Sequence, residues 1–240
     1  MPDTNFAITP IGNITTPFRQ KFAIPRQPNL ASAKGTVRFA PQFNDANCLK
    51  GLEGYSHLWL LFVFHATVER GWKPTVKAPR LGGNATLGVF ASRSTHRPNG
   101  IGMSVVRNLG HQMNRGKLEL LVEGVDLLDG TPIVDIKPYI HYADALPHAT
   151  DALEDYAPLP NRAVEIASTA KADLAVLARR YPDLPALLEK VLQQDPRPAY
   201  RQFDDNDDKE YRVALYDVDI AWKVQEGRIL VTGFSPFPNN

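Results

Sequence analysis

Between Thr36 and Ile136 the chain is cut into short apolar runs, each stopped by a turn signal, and this pattern leaves few architectures open. Thr36–Phe39, Leu58–Phe64, Leu87–Ala91, Ser104–Leu109, Leu118–Val125 and Ile133–Ile136 have strand lengths and are rich in β-branched or aromatic residues. Ahead of them Phe6, Ile8 and Ile11 alternate with polar or small residues. Leu58–Phe64, LWLLFVF, is continuously apolar and predicts a strand buried on both faces. Leu81-Gly-Gly-Asn84, Asn114-Arg-Gly116 and Asp129-Gly-Thr-Pro132 read as turns. Many short strands with few helical windows predict a closed or nearly closed β-barrel over residues 1–140.

The pattern then changes. Residues 141–160 are polar and proline-bearing, and read as a linker. Lys171–Arg180 and Leu184–Leu192 have helical spacing, with Tyr181-Pro182 as the break and Asp195-Pro-Arg-Pro198 as the stop. Val218, Ile220, Trp222 and Val224 alternate with polar or small neighbours. Glu226-Gly227 then turns the chain into Ile229–Thr232, a hairpin with one buried face. The expected fold class is mainly β: an N-terminal barrel followed by a small α+β domain over 161–240.

At 240 residues the chain buries a core without covalent staples. Its single cysteine, Cys48, excludes an internal disulfide framework and a multi-cysteine zinc site, and reads as structural. The N-terminus has neither a basic nor an apolar signal region, and no run approaches the ~20 apolar residues of a membrane span. A cytoplasmic protein with no membrane partner is expected. The net charge of +1 gives no global support for a nucleic-acid binder. Locally, Arg19, Lys21, Arg26, Lys34 and Arg38 enrich the start in cations, and Asp204–Asp208 reads as a solvated acidic turn.

Three segments concentrate polar chemistry. Phe22–Pro28 ends in Arg26 and Gln27 between two prolines. The loop after Ala91 carries Arg93, His96, Arg97 and Asn99, braced by Pro98 and closed by Gly100 and Gly102. Two guanidiniums at i and i+4 are poor core material, but each offers a planar fork of donors that matches a carboxylate or phosphate. The alternative is a solvated surface loop. Val125–Tyr139 gathers Asp126, Asp129, Asp135, Lys137 and Tyr139 around one turn, and Asp135 and Lys137 share a strand face. His65 leaves the apolar strand at a position able to reach a pocket, whereas His57 reads as a packed strand-end residue. G-x-G-x-x-G, the P-loop, H-E-x-x-H and G-x-S-x-G are all missing, so neither a Rossmann nucleotide site nor those hydrolase sites are indicated.

HLWLLFVFH (57–65), RLGGN (80–84), LGVFASRSTHRPN-x-IGMS (87–104), DLLDGTPIVDIKPY (126–139) and QDPRPAY (194–200) together resemble the bacterial TrmO family, also called YaeB or TsaA-like, from about Ile11 to Trp222. One departure is Gly100, which stands where relatives commonly carry proline. The resemblance implies an S-adenosylmethionine-dependent tRNA methyltransferase of non-Rossmann barrel fold, acting as a homodimer. Its target would be N6 of N6-threonylcarbamoyladenosine at position 37, in the anticodon loop. By motif, the donor contacts fall on Pro25, Arg26, Gln27, His65, Ala66, Arg93, Met103, Asp126, Leu127, Leu128 and Asp129. No metal is implied.

A weakly nucleophilic amide-like nitrogen is helped by a carboxylate that takes its proton. Asp135 is the first candidate and Asp129 the second. The substrate's threonyl carboxylate calls for a cation, Arg97 or Lys137. Asn99 belongs to the same loop, and Tyr139 is a platform on which a splayed base could stack. Two rival readings remain open: a barrel that binds S-adenosylmethionine or RNA without catalysis, and a metal-dependent hydrolase built on the aspartates of 126–135.

Overall fold

The computed structural model describes residues 6–77, 86–151 and 159–238. Strands β1 (Gly12–Thr15), β2 (Lys34–Phe39) and β3 (His57–Val63) are followed by a two-stranded ribbon, β4 (Thr75–Lys77) and β5 (Thr86–Gly88). Then come β6 (Ile101–Asn114), β7 (Lys117–Glu123) and β8 (Pro132–Pro138). Six of these strands form a closed ring in the order β1-β2-β7-β6-β3-β8, every pair antiparallel. Pairing of Gly12 with Ile133 closes it, so no strand of the ring is left as an open edge.

Alternation explains the interior. Ile14, Val37, Leu58, Leu60, Val106 and Leu120 are fully buried and point inward, one residue in two along their strands. The β3 run was expected to be buried on both faces, but only Leu58, Leu60 and Phe62 are; Trp59, Leu61 and Val63 are half-exposed. The outer side of β3 meets the one-turn helix α1 (His141–Asp144) through Asp144 rather than the helical layer that covers a parallel sheet. Trp59 leans on Tyr139 instead, with ring centroids 5.7 Å apart. The β6–β7 hairpin turns at Arg115 (φ 49°) and Gly116 (φ 74°), the two left-handed residues such a turn requires.

The rest of the chain builds a second layer: α1 (His141–Asp144), β9 (Val164–Ile166), α2 (Lys171–Arg180), α3 (Leu184–Leu192), β10 (Asp207–Leu215), β11 (Val218–Gln225) and β12 (Arg228–Pro236). The sheet order is β10-β11-β12-β9, with β9 parallel to β12. Helix α3 buries Leu184, Leu187, Leu188, Val191 and Leu192 on one face. A bridge between Phe18 and Leu215, and Gln194 Nε2 donating to Leu30 O at 3.1 Å, tie this layer to the ring.

The structure corrects several sequence expectations. Phe6 and Ile8 are exposed and unpaired, and regular pairing begins only at Gly12. The expected strand Leu87–Ala91 is a three-residue strand ending at Gly88, then one 3-10 turn with Val89 buried and Phe90 exposed. The start of the supposed linker is held in place: Asp144 Oδ2 accepts from Ile140 N at 2.8 Å and from Trp59 Nε1 at 3.1 Å. Cys48 is exposed, not packed. The turn Leu81–Asn84, and with it the whole RLGGN motif, lies outside the described residues.

The acidic run 204–208 is not simply solvated, because Asp207 is buried. Arg197, itself fully buried, donates to Asp195 at 2.8 and 2.7 Å and to Asp207 at 3.3 Å, and Tyr211 adds a 2.7 Å bond to Asp207. Arg162 donates to Asp195, Asp205 and the carbonyls of Gln202 and Gly227. The QDPRPAY motif is therefore an internal clasp of the C-terminal layer.

Candidate active site

A cleft of about 620 Å³ opens on the ring, within the range of small-molecule sites. Its walls come from segments far apart in sequence. Residues 24–27 form one side, and the exit of β3 through Thr67 another. The loop Ser92–Arg97, the start of β6 and residues 126–128 complete it. Leu61, Phe62, Phe64 and Leu127 make the apolar wall. The wall is stiff: Phe62 and Phe64 meet edge to face at 5.2 Å, and a Cβ on Gly102 would come within 2.4 Å of the Phe62 ring. Only glycine lets β6 approach β3 this closely.

The polar groups are spaced around that wall. Arg93 Nη1 donates to Gln27 Oε1, so two motif segments meet. Arg97 Nη1 donates to Ser92 O at 2.9 Å, which curls its own loop. Lys21 Nζ donates to Ala66 O at 2.7 Å, and burial together with the nearby Arg70 holds its ammonium below the usual lysine range. Asp126 Oδ1 accepts from Ser104 Oγ at 2.7 Å. Burial pushes the Asp126 carboxyl up to about 6, against the opposing pull of Ser104 and Arg93. The cleft thus offers guanidiniums at one place, a half-buried carboxylate at another and apolar surface between them. That set matches a ligand with its own carboxylate, a cationic centre and a flat ring system.

Of the residues the sequence nominated, Pro25, Arg26, Gln27, His65, Ala66, Arg93, Met103, Asp126, Leu127, Leu128 and Arg97 all line the cleft. Asp129 does not. It pairs with Arg19 and accepts from Thr16 N at 2.9 Å, holding the end of β1 to the turn before β8. Asp135 pairs with Lys137 at 3.0 Å on the outer face of β8 and is absent from the lining. Tyr139 packs edge-on against His57 and tilted against Trp59 on that same outer side. Asn99 is exposed at φ 64°, away from the cleft wall. Gly100 follows at φ 58°, a conformation closed to proline, so the loop backbone differs from one carrying proline there.

Sequence reasoning missed Lys21, Thr67 and Ser104. Ser104 had a signal: a small polar residue at an inward strand position, now 2% exposed. Among the described residues no group of three His, Cys, Asp or Glu side chains converges as metal ligands. Nor is any described helix long and apolar enough to cross a membrane.

Comparison with known proteins follows this layout. Residues 13–145 match the family model of the tRNA-methyltransferase O N-terminal domain, and residues 160–236 that of the TrmO C-terminal domain. The chain is 45% identical over 234 residues to the tRNA (adenine(37)-N6)-methyltransferase of Escherichia coli K12, covering 97% of this chain and 99% of that one. It is 48% identical over 218 residues to a putative S-adenosylmethionine-dependent methyltransferase, RcsF, of Pseudomonas aeruginosa, covering 90% and 91%. A crystal structure of TrmO from Pseudomonas aeruginosa superposes with a TM-score of 0.78 at 40% identity, over 97% of this chain and all of that one. Likeness of this extent across both parts of the chain leaves one assignment: the chain belongs to the tRNA-methyltransferase O family of enzymes.

Proposed function

We propose that this chain methylates N6 of N6-threonylcarbamoyladenosine at position 37 of tRNA, using S-adenosylmethionine. The observation that carries the proposal is the cleft, where the motifs at 25–27, 65–66, 93 and 126–128 converge although they are distant in sequence. The residues fit the donor. Arg93, braced by Gln27, suits its carboxylate, and the Leu61, Phe62, Phe64 and Leu127 wall suits its adenine. When bound, the donor supplies an electrophilic methyl group; the chain's task is to orient the acceptor nitrogen and exclude water, which carries much of the acceleration in such transfers.

Arg97, which also lines the cleft, is our choice for the threonyl carboxylate. The pairing of Lys137 with Asp135 on the outer face leaves it a less favourable partner. Lys21, Arg26, Arg93 and Arg97 concentrate positive charge at the cleft of a nearly neutral chain, as phosphate binding demands.

We assign donor binding to the N-terminal portion, 1–140, a non-Rossmann methyltransferase barrel, and place the protein in the cytoplasm. We also propose a homodimer. Trp72, Phe90 and Met103 are each exposed, and large apolar side chains of this kind are what a second copy can cover.

Nucleoside mass spectrometry of tRNA from a strain lacking this chain tests the reaction. The methylated threonylcarbamoyladenosine should vanish and its unmethylated precursor accumulate. An unchanged nucleoside profile in that strain, with S-adenosylmethionine binding shown for the purified protein, would favour the non-catalytic reading.

A further inference from the structure

Three carboxylates lie in the segment 126–135, and one faces the cleft. Asp129 is bound to Arg19 and Thr16, and Asp135 to Lys137 and the Ile136 amide. Asp126 lines the cleft beside Ser104, Leu127 and Phe62. The Ser104 hydroxyl bonds Oδ1 at 2.7 Å and fixes the carboxyl plane. No hydrogen bond from a described side chain reaches Oδ2, so that oxygen is available to a ligand.

We propose that Asp126 is the general base of the methyl transfer, with Oδ2 accepting the proton that N6 of the modified adenosine gives up. The inference rests on the functional reading above. As N6 bonds to the methyl carbon, the carbon–sulfur bond breaks with its electron pair going to sulfur, S-adenosylhomocysteine leaves, and the N6 proton passes to Asp126 and then to solvent. The environment suits the task. Burial makes Asp126 more basic than an ordinary aspartate, yet at about 6 it is still ionised at neutral pH. The other charged or titratable side chains lining the cleft are Lys21, Arg26, His65, Arg93 and Arg97. Of these Arg93 is the one whose field reaches Asp126. Arg93 and the apolar wall face the same cleft and are placed to hold the donor, so the Asp126 carboxylate has a proton to take only from the acceptor.

Asp126→Asn preserves shape and still accepts from Ser104, so it isolates the proton acceptor. Single-turnover methylation of precursor tRNA is measured alongside S-adenosylmethionine affinity by calorimetry and tRNA affinity by fluorescence anisotropy. The expected result is a rate lowered roughly 10²- to 10⁴-fold, the range for loss of a general base, with both affinities held within about threefold. The wild-type rate should rise tenfold per pH unit up to about pH 6 and then level. That limb should persist in His65→Asn, which removes the imidazole of the cleft lining, and vanish in Asp126→Asn. If the Asn variant binds S-adenosylmethionine tenfold or more weakly at a near-normal saturated rate, the carboxylate is a donor contact and the inference fails. A limb that survives in Asp126→Asn overturns it as well. If the wild type binds both partners but methylates no tRNA, the functional reading fails and takes the inference with it.

Discussion

Asp126→Asn should make the folded chain more stable at neutral pH. A carboxyl that is raised from 3.8 to about 6 is one whose ionised form the fold disfavours. Between those two values the folded chain keeps a proton that the unfolded chain has released, so wild-type stability falls as pH rises through that window. At about 1.4 kcal/mol per pH unit of displacement, the penalty at neutral pH reaches at most about 3 kcal/mol. An asparagine at the same place avoids charge burial but is itself a buried amide, so a gain of about 1–2 kcal/mol is expected. Urea unfolding of both proteins at several pH values from 4 to 8 measures it. The two curves should lie close together near pH 4, diverge up to about pH 6, and run parallel above pH 7. A variant less stable than wild type at pH 7, or a difference independent of pH, would refute the claim that burial of an ionised carboxylate dominates this site. A stabilised protein with a lost rate is the expected mark of a residue kept for chemistry.

Other outcomes follow from particular contacts. Arg93→Ala removes the guanidinium held by Gln27 and should weaken S-adenosylmethionine binding by about 1.5–3 kcal/mol in calorimetry, the worth of a charge-assisted bond. Arg197→Met should cost about 3 kcal/mol in thermal or urea unfolding, because buried Asp195 and Asp207 each lose a cation. The low end of the usual range applies because Arg162 remains on Asp195, and Tyr211 and Arg201 on Asp207. Lys137→Met, by contrast, breaks a pair whose two members are both largely exposed, and should change unfolding free energy by less than about 1 kcal/mol while leaving donor affinity intact.

Much of the fold was legible because its interior is written in alternation. Leu58, Leu60 and Phe62, or Val218, Ile220, Trp222 and Val224, fall on one face whatever else surrounds them. Helices α2 and α3 took the limits that their spacing and the Tyr181-Pro182 break assign. Elements that carry few apolar side chains were invisible. β10 opens with Asp207-Asp208-Lys209-Glu210, and its first inward group is a carboxylate whose partner, Arg197, lies ten residues away. Three-residue β9 is held by pairing with β12, which no local pattern records.

The site was legible in a different measure. Segments were recoverable, because loops that must present polar groups beside an apolar wall need the glycines, prolines and guanidiniums that marked them. The division of labour among the aspartates was not. Asp126, Asp129 and Asp135 fall within ten residues and share a side chain; what separates them is whether a partner arrives first. Arg19 comes from the loop after β1 to take Asp129, and Lys137, two residues along the same strand, takes Asp135. Asp126 instead meets the hydroxyl of Ser104, delivered by β6, the strand paired with β7. A paired carboxylate has its charge spent on structure, whereas one bonded by a single neutral hydroxyl keeps both its charge and its basicity for a ligand. Asp135 stands two residues from Lys137 in the sequence, and in the fold that lysine, at 3.0 Å, holds its charge in a pair on the outer face of β8, away from the cleft lining.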